Sequence, residues 1–364
     1  MYRFHRYNLI RWDISSPSVA YKLFVRGLYD YVIVKEETSS SVTTRSYFVA
    51  SKGIEASWSN RASLTYSEDI QGRKLVNEGQ NWLAANTGIT FTGLLDEYGG
   101  AAAAYSLRKL SSTYSGDAVV VRRSSDNATQ SIGFVNNELD TTTLNSFCSG
   151  ANGFVTTWYD QSGNGIDSTQ TVAADQPKIF DSITGVIEIN GKPSINFSST
   201  GHLKTADTGI DVLIEQIQIV SYINSQITST STIQQLLNTY GGIGYEGLAF
   251  GGATGSLTNE TFTLLNNATA REAITDIIDI GSHLFSIDWN GSQHNIYLDS
   301  NVGTYISVAT PVQLNSREFA IGRRLTVSGS DFVGQIQEII LYASNQSTNR
   351  AAIGTNINNF YNIY

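Results

Sequence analysis

The chain has 364 residues, 41% of them hydrophobic and only 15% charged, with a formal net charge of −9. It can bury a core, which excludes a charge-driven disordered chain. The charge is split: residues 1–93 hold 11 Lys/Arg against 8 Asp/Glu, and residues 94–364 hold 12 against 24, so the larger, acidic part repels phosphates and excludes a nucleic-acid partner.

In chain order, MYRFHRYNLIRW has basic residues but no apolar run behind them, so no export signal is expected. No stretch approaches the roughly 18 apolar residues of a membrane helix, so no membrane insertion is expected. SVAYKLFVRG, DYVIVKE and RSYFVAS alternate apolar and polar residues, the period of a half-buried strand. SEDIQGRKLVNEGQNWLAAN predicts a helix with Ser67 as its cap. Residues 1–93 therefore read as a small β-rich domain with a helical connector.

The second part opens with GITFTGLLDEYGGAAAAYSLRKL, in which 101–110 predicts a short helix. DAVVVRRSS follows as a strand. From there to the C-terminus the text is strand-like segments separated by Gly, Asn, Ser and Asp turns: GVIEING, PSINFSS, IEQIQIVSYIN, LFSIDWNG, HNIYLDS, REFAIGRR and GQIQEIILYAS. Many short strands with turn signals predict a β-sandwich over residues 94–364. The one cysteine, Cys148, permits no intrachain disulfide and reads as a small buried apolar residue.

WYDQSGNGIDSTQ, at 158–170, raises its own question. Asp160, Ser162, Asn164 and Gly165 fall at places one, three, five and six of a calcium loop, but place twelve is Thr171 where such a loop wants a bidentate Glu. A turn held by the Asp160 and Asn164 side chains is the leading reading. A cation site using Asp160 and Asp167, with calcium as the cofactor, and a contact to sugar stay open. No other cofactor is expected. His202, His283 and His294 show no metal or triad spacing.

FSIDWNGSQHNIYLDSNVGTYIS followed by FAIGRRLTVSGSDFVGQIQEIILYAS resembles the end of laminin-G and concanavalin A-like jelly rolls. AYSLRKLSSTYSGDAVVVRRSSDNATQSIGF, then LNSFCSGANGFVTTWYDQSGNGIDSTQ, resembles the start of the catalytic domain of α-L-arabinofuranosidase B. Both resemblances imply one fold, a concanavalin A-like sandwich. In that family YDQSG is structural. Its nucleophile lies in a D-L-E-N-like stretch and its acid just after an I-G-G strand end. The counterparts here are LLNNA, with Leu264 and Asn266, and IGRRL, with Arg324. Neither Asn nor Arg can do a carboxylate's work, so the chain is expected not to be an enzyme. Glu246, Asp288 and Asp331 are the carboxyls that could stand in.

A module of this kind without catalytic carboxylates resembles those of bacteriophage virion proteins. That resemblance implies a fibre or decoration protein, located on the virion. Residues 1–93 would dock on other virion proteins, and the jelly roll would bind a host cell-surface polysaccharide without cleaving it. It also implies a homo-oligomer, with a trimer favoured. Tyr245, Glu246, Trp289, Tyr305 and Arg324 are the candidate glycan contacts.

Overall fold

In the computed structural model the alternation read near the N-terminus becomes an antiparallel meander. Its strands are β1 (Arg6–Ser16), β2 (Val19–Arg26), β3 (Asp30–Ser39) and β4 (Val42–Ala50), with the two-residue β5 (Lys74–Leu75) parallel to β1. The structure describes residues 91–206 and 331–364 throughout. Elsewhere it describes strand backbone within 6–75 and 212–321 and the side chains of Lys35, Leu237, 281–288, Asn295, 297–299 and 319–323. Apart from β5, the connector helix read around Ser67 lies outside the described residues. The chain divides into two compact units, Met1–Thr90 and Phe91–Tyr364.

The second unit is a β-sandwich, built from two antiparallel sheets. After the short helix α1 (Leu94–Glu97), one sheet holds β6 (Ala101–Ser106), β14 (Gln216–Ile223), β19 (Gly281–Trp289), β20 (His294–Leu298) and β22 (Gly334–Tyr342). The other begins with β7 (Val119–Arg123) and β8 (Thr129–Ile132), then β9 (Gly153–Trp158) and β10 (Ser168–Thr169). It continues through β13 (Leu203–Thr205), β21 (Phe319–Ile321), β15 (Gln234–Tyr240), β16 (Tyr245–Phe250), β17 (Phe262–Asn266) and β18 (Ala270–Ile274). Strands β11 (Lys178–Asp181) and β12 (Ile195–Phe197) carry the chain between the sheets, because β11 pairs with β9 and β12 with β22.

The core between the sheets includes Tyr105, Val119, Val121, Val155, Trp158, Leu203, Phe285, Phe319, Ile321, Ile336, Ile339 and Leu341, all buried. A third layer covers the outer face of the first sheet. There Leu284, Ile340 and Tyr342 meet Ile353, Ile357 and Tyr361 of the C-terminal helix α3 (Arg350–Tyr361). Strand β22 is thus covered on both faces, which is why EIILY reads as a continuous apolar run instead of an alternation.

Three elements differ from the sequence reading. The alanines at 101–104 form a strand, not a helix. Alanine's helix propensity is a weak prior, and here β22 satisfies one edge of the segment while a side-chain-rich turn satisfies the other. Helix α2 (Thr141–Cys148) was not expected; Asp140 caps it by accepting the Thr143 N–H at 2.9 Å. Helix α3 was read as part of a strand-rich tail. Its Ile353, Ile357 and Tyr361 recur every four residues, the spacing of one helical face.

Candidate functional site

The WYDQSGNG segment is a clasp on the edge of β6. Asp160 Oδ1 accepts the N–H groups of Ala104 and Ser162 at 2.8 and 2.9 Å. Its Oδ2 accepts the Ser162 hydroxyl at 2.7 Å and the Ile166 N–H at 3.1 Å. Those four donors occupy the lone pairs an ionised carboxylate offers. Asp167 Oδ1 accepts the Asp160 N–H at 2.9 Å. Asn164 Nδ2 donates to the carbonyls of Ala101 and Ala102 at 3.0 and 2.9 Å. Asp160 and Asp167, the two residues named for a cation, and Asn164 beside them are therefore organised around backbone groups. Among the described residues no group of three His, Cys, Asp or Glu could hold a metal ion.

A different cluster gathers charge at the end of β21. The strand stops at Gly322, whose φ of 87° suits glycine, and a Cβ there would meet the Phe197 ring at 2.5 Å. Arg323 comes next. Its Nε donates to Asp331 Oδ1 at 2.5 Å, and its Nη1 lies 3.9 Å from Asp175 Oδ2. One guanidinium thus hydrogen-bonds the Asp331 carboxylate and lies within ion-pair range of Asp175. The Asp331 side chain is 9% exposed and that of Asp175 26%, so solvent reaches the second more readily.

His202 packs behind these groups. Its backbone N–H donates to the Asp175 carbonyl at 2.9 Å. Burial lowers its pKa, the Arg323 charge adds to that, and the Thr200 carbonyl and both aspartates oppose it. The partners fit a neutral ring: Nδ1 lies 3.1 Å from the Thr200 carbonyl, which only accepts, and Nε2 lies 2.8 Å from Gln170 Nε2, which only donates. Gln176 links Gln170 to Arg122, accepting from its Nε at 2.6 Å. Only Asp331 of this cluster was a sequence candidate. Asp175, His202 and Arg323 come from three separate loops, and no local spacing announces them.

The register places other candidates elsewhere. Trp158 pairs with Ser168, Ser168 with Thr205, Phe319 with Thr239, and Thr239 with Glu246. The Phe319 N–H donates to Thr205 Oγ1 at 3.0 Å, which joins the two halves. Gly247 pairs with Leu265, so one step along brings Asn266 beside Glu246. These residues form one cross-strand row. Two positions along, the register pairs Leu203, Ile321, Leu237, Leu248 and Leu264. Trp158 Nε1 and Ser168 Oγ, both in the polar row, are the buried side-chain polar atoms without a partner among the described residues. The row crosses β21 at Phe319, whereas Arg323 lies beyond the end of that strand at Ile321. Glu246 and Asp331 therefore stand at different levels. Of Tyr245, Glu246, Asn266 and Trp289 only the backbone is described, and Tyr305 and Arg324 lie outside the described residues.

Asp288 belongs to neither group. In β19, Phe285 and Ile287 face the core while Leu284 meets helix α3, so Asp288 falls on the helix side. Its oxygens accept from Asn295 Nδ2 at 2.5 Å and the Tyr297 hydroxyl at 3.2 Å. Burial raises its pKa.

Residues 98–190 match the family model described as the catalytic domain of α-L-arabinofuranosidase B. No curated protein matches the chain. Among solved structures, a glutamate-to-glutamine mutant of a GH54 α-L-arabinofuranosidase soaked with 4-nitrophenyl α-L-arabinofuranoside has a TM-score of 0.58 at 17% identity, over 73% of this chain and 65% of that one. An arabinofuranosidase complexed with arabinofuranosyl-α-1,2-xylobiose has a TM-score of 0.51 at 19% identity, over 73% and 64%. The chain thus spans less than two thirds of these enzymes' length, and at this identity the likeness is one of fold. The expectation that the chain is not an enzyme is overturned, because the matched segment belongs to a catalytic-domain model. That expectation rested on Asn266 and Arg324, which lie beyond residue 190, and on counting single positions along the chain. Asp331 brings a carboxyl to Arg323, which follows the end of β21. What the comparisons give this chain is a β-sandwich like that of the GH54 arabinofuranosidases, with residues 98–190 matching an arabinofuranosidase B catalytic-domain model.

Proposed function

We propose that residues 91–364 form a glycoside hydrolase of the arabinofuranosidase type, acting on terminal furanosides. The observation that carries this reading is the Asp175–Arg323–Asp331 arrangement at the end of β21, in a chain whose residues 98–190 match the catalytic-domain model. Glycoside hydrolysis needs two carboxyls. One gives a proton to the leaving oxygen as its bond to the anomeric carbon breaks. The other either attacks that carbon or takes the proton of the water that does. Asp331, held by Arg323, is the fixed carboxylate. Asp175, more exposed, is the acid/base. His202 fixes the Asp175 backbone and keeps a neutral ring behind the pair.

Release of 4-nitrophenol from 4-nitrophenyl α-L-arabinofuranoside tests this. Asp331→Asn and Asp175→Asn should each lower kcat by about a hundredfold or more, the usual scale for a lost acid/base. Equal release by wild type and the double variant would overturn the assignment.

A second reading concerns residues 1–93. The charge split, net +3 against −12, and the separate compact unit support a docking role on a larger assembly, with a phage virion as the assembly and a host polysaccharide as the target. Light scattering of the purified chain should then give three copies of the 39.7 kDa protein. A monomer at all concentrations would count against it.

A further inference from the structure

A pocket of about 450 Å³ opens between the WYDQSG clasp, the loop before β6 and the segment 111–116. It shares no residue with the Asp175–Arg323–Asp331 cluster. Its size is that of a small-ligand site, and its walls say which ligand. They are mostly serine and threonine hydroxyls, glycine backbone and Tyr114, with Asp96 as the one charged side chain.

Chemistry narrows the occupant. No lysine or arginine lines the pocket, and its single charge is negative, so an anion is disfavoured. The Asp96 oxygens are already engaged: Oδ2 accepts the N–H groups of Gly93 and Ser112 at 2.6 and 2.8 Å, and Oδ1 the Ser111 hydroxyl at 2.8 Å. A cation therefore finds one open lone pair on a single carboxylate, too few ligands to hold it. Hydroxyls and peptide groups offer little to a lipid. The Ser115 hydroxyl and the N–H groups of Gly116 and Gly163 make no hydrogen bond within the chain among the described residues. They are exposed donors and acceptors on the pocket wall, hydrated until a ligand displaces the water.

We infer that this pocket is a second, non-catalytic site for a neutral saccharide, holding part of a polymeric substrate away from the carboxyl cluster. The ligand class rests on the sugar-acting reading above; the roles of Asp175 and Asp331 do not enter. The clasp thereby gains a task beyond covering a strand edge, since its Gln161, Ser162 and Gly163 form one wall.

Native gels cast with arabinan, arabinoxylan or a neutral β-glucan test this. The wild-type chain and the Asp331→Asn variant should both be retarded by at least one of the three. Ser115→Ile combined with Thr113→Leu fills the pocket and removes two hydroxyls from an exposed wall, so the fold should survive, checked by an unchanged Tm. That variant should bind the gel polysaccharide about tenfold more weakly, while its release of 4-nitrophenol stays within twofold of wild type. Retardation equal to wild type would overturn the site, as would no retardation of the wild type by any of the three. Retardation without any 4-nitrophenol release would keep the pocket and reject the hydrolase reading, so the two failures are distinguishable.

Discussion

His202 shows how one residue's surroundings become a pH dependence. Its folded-state pKa lies below the free value of 6.5, chiefly through burial. As pH falls, the unfolded chain therefore takes up the proton first. The stabilisation is complete above 6.5 and is lost as pH falls below it toward the folded-state value. The wild type should lose more Tm between pH 7.5 and 5.5 than His202→Gln, in which nothing titrates. Equal losses in calorimetry would reject the neutral ring. Asp288 has the opposite sign. Its pKa is raised by burial above the usual 3.8, so the folded state carries a cost once the group ionises. Asp288→Asn keeps an acceptor for Asn295 and should raise Tm at pH 7. The gain should vanish as pH approaches 3.8; a gain that persists there would point to packing instead.

At the scale of elements, the clasp and β6 explain each other. An exposed edge strand leaves backbone groups unpaired, and here side chains pair them. Gln161 is the strongest link. Its Oε1 accepts the Leu110 N–H at 2.8 Å, and its Nε2 donates to the carbonyls of Ser106 and Arg108, each at 3.0 Å. Gln161→Leu keeps the volume and strands three buried backbone groups, which should cost about 3 kcal/mol or more. Asn164→Ala loses two bonds at a part-buried site and should cost about 1 kcal/mol. Urea midpoints read both; equal costs would mean the clasp does not depend on burial. This element also marks where the sequence could and could not be read. DAVVV and the IVSY run became strands because each is rich in β-branched and aromatic residues that favour a strand on their own. AAAAYS carries no period, so its state was decided by partners more than fifty residues away. Asp160 was legible as a turn residue for the converse reason: its side chain accepts the Ser162 N–H within the turn, whereas the Asn164 side chain reaches across to β6. The carboxyl cluster was illegible because Asp175, His202 and Asp331 meet only after three loops have folded onto β21.

At the scale of the whole second unit, the first sheet and the C-terminal helix are joined by one buried polar network. Glu338 on β22 is fully buried, and Arg108, just past β6, is 8% exposed. The Arg108 Nε and Nη2 donate to the two Glu338 oxygens at 2.8 and 2.9 Å. Ser106 Oγ and the Tyr361 hydroxyl add bonds to Glu338 at 2.7 and 3.0 Å. Arg108 Nη1 reaches Asn356 at 3.0 Å, and its guanidinium lies 4.7 Å from the Phe360 ring centroid. The pair therefore ties helix α3 to the first sheet. A buried ion pair is weak evidence of net stability, because desolvation offsets most of the attraction. Breaking it is another matter. Arg108→Met alone leaves Glu338 buried without its cation and should cost about 3–5 kcal/mol. Adding Glu338→Leu removes the stranded charge and should recover most of that loss, leaving the Tyr361 and Ser106 hydroxyls as the remaining debit. Chemical denaturation of the two variants and the wild type decides between roles. If the double variant stays as unstable as the single one, the network supplies stability that apolar packing cannot replace. If it recovers, and hydrogen exchange in α3 still quickens, the network's contribution is to hold the helix in one register against the sheet.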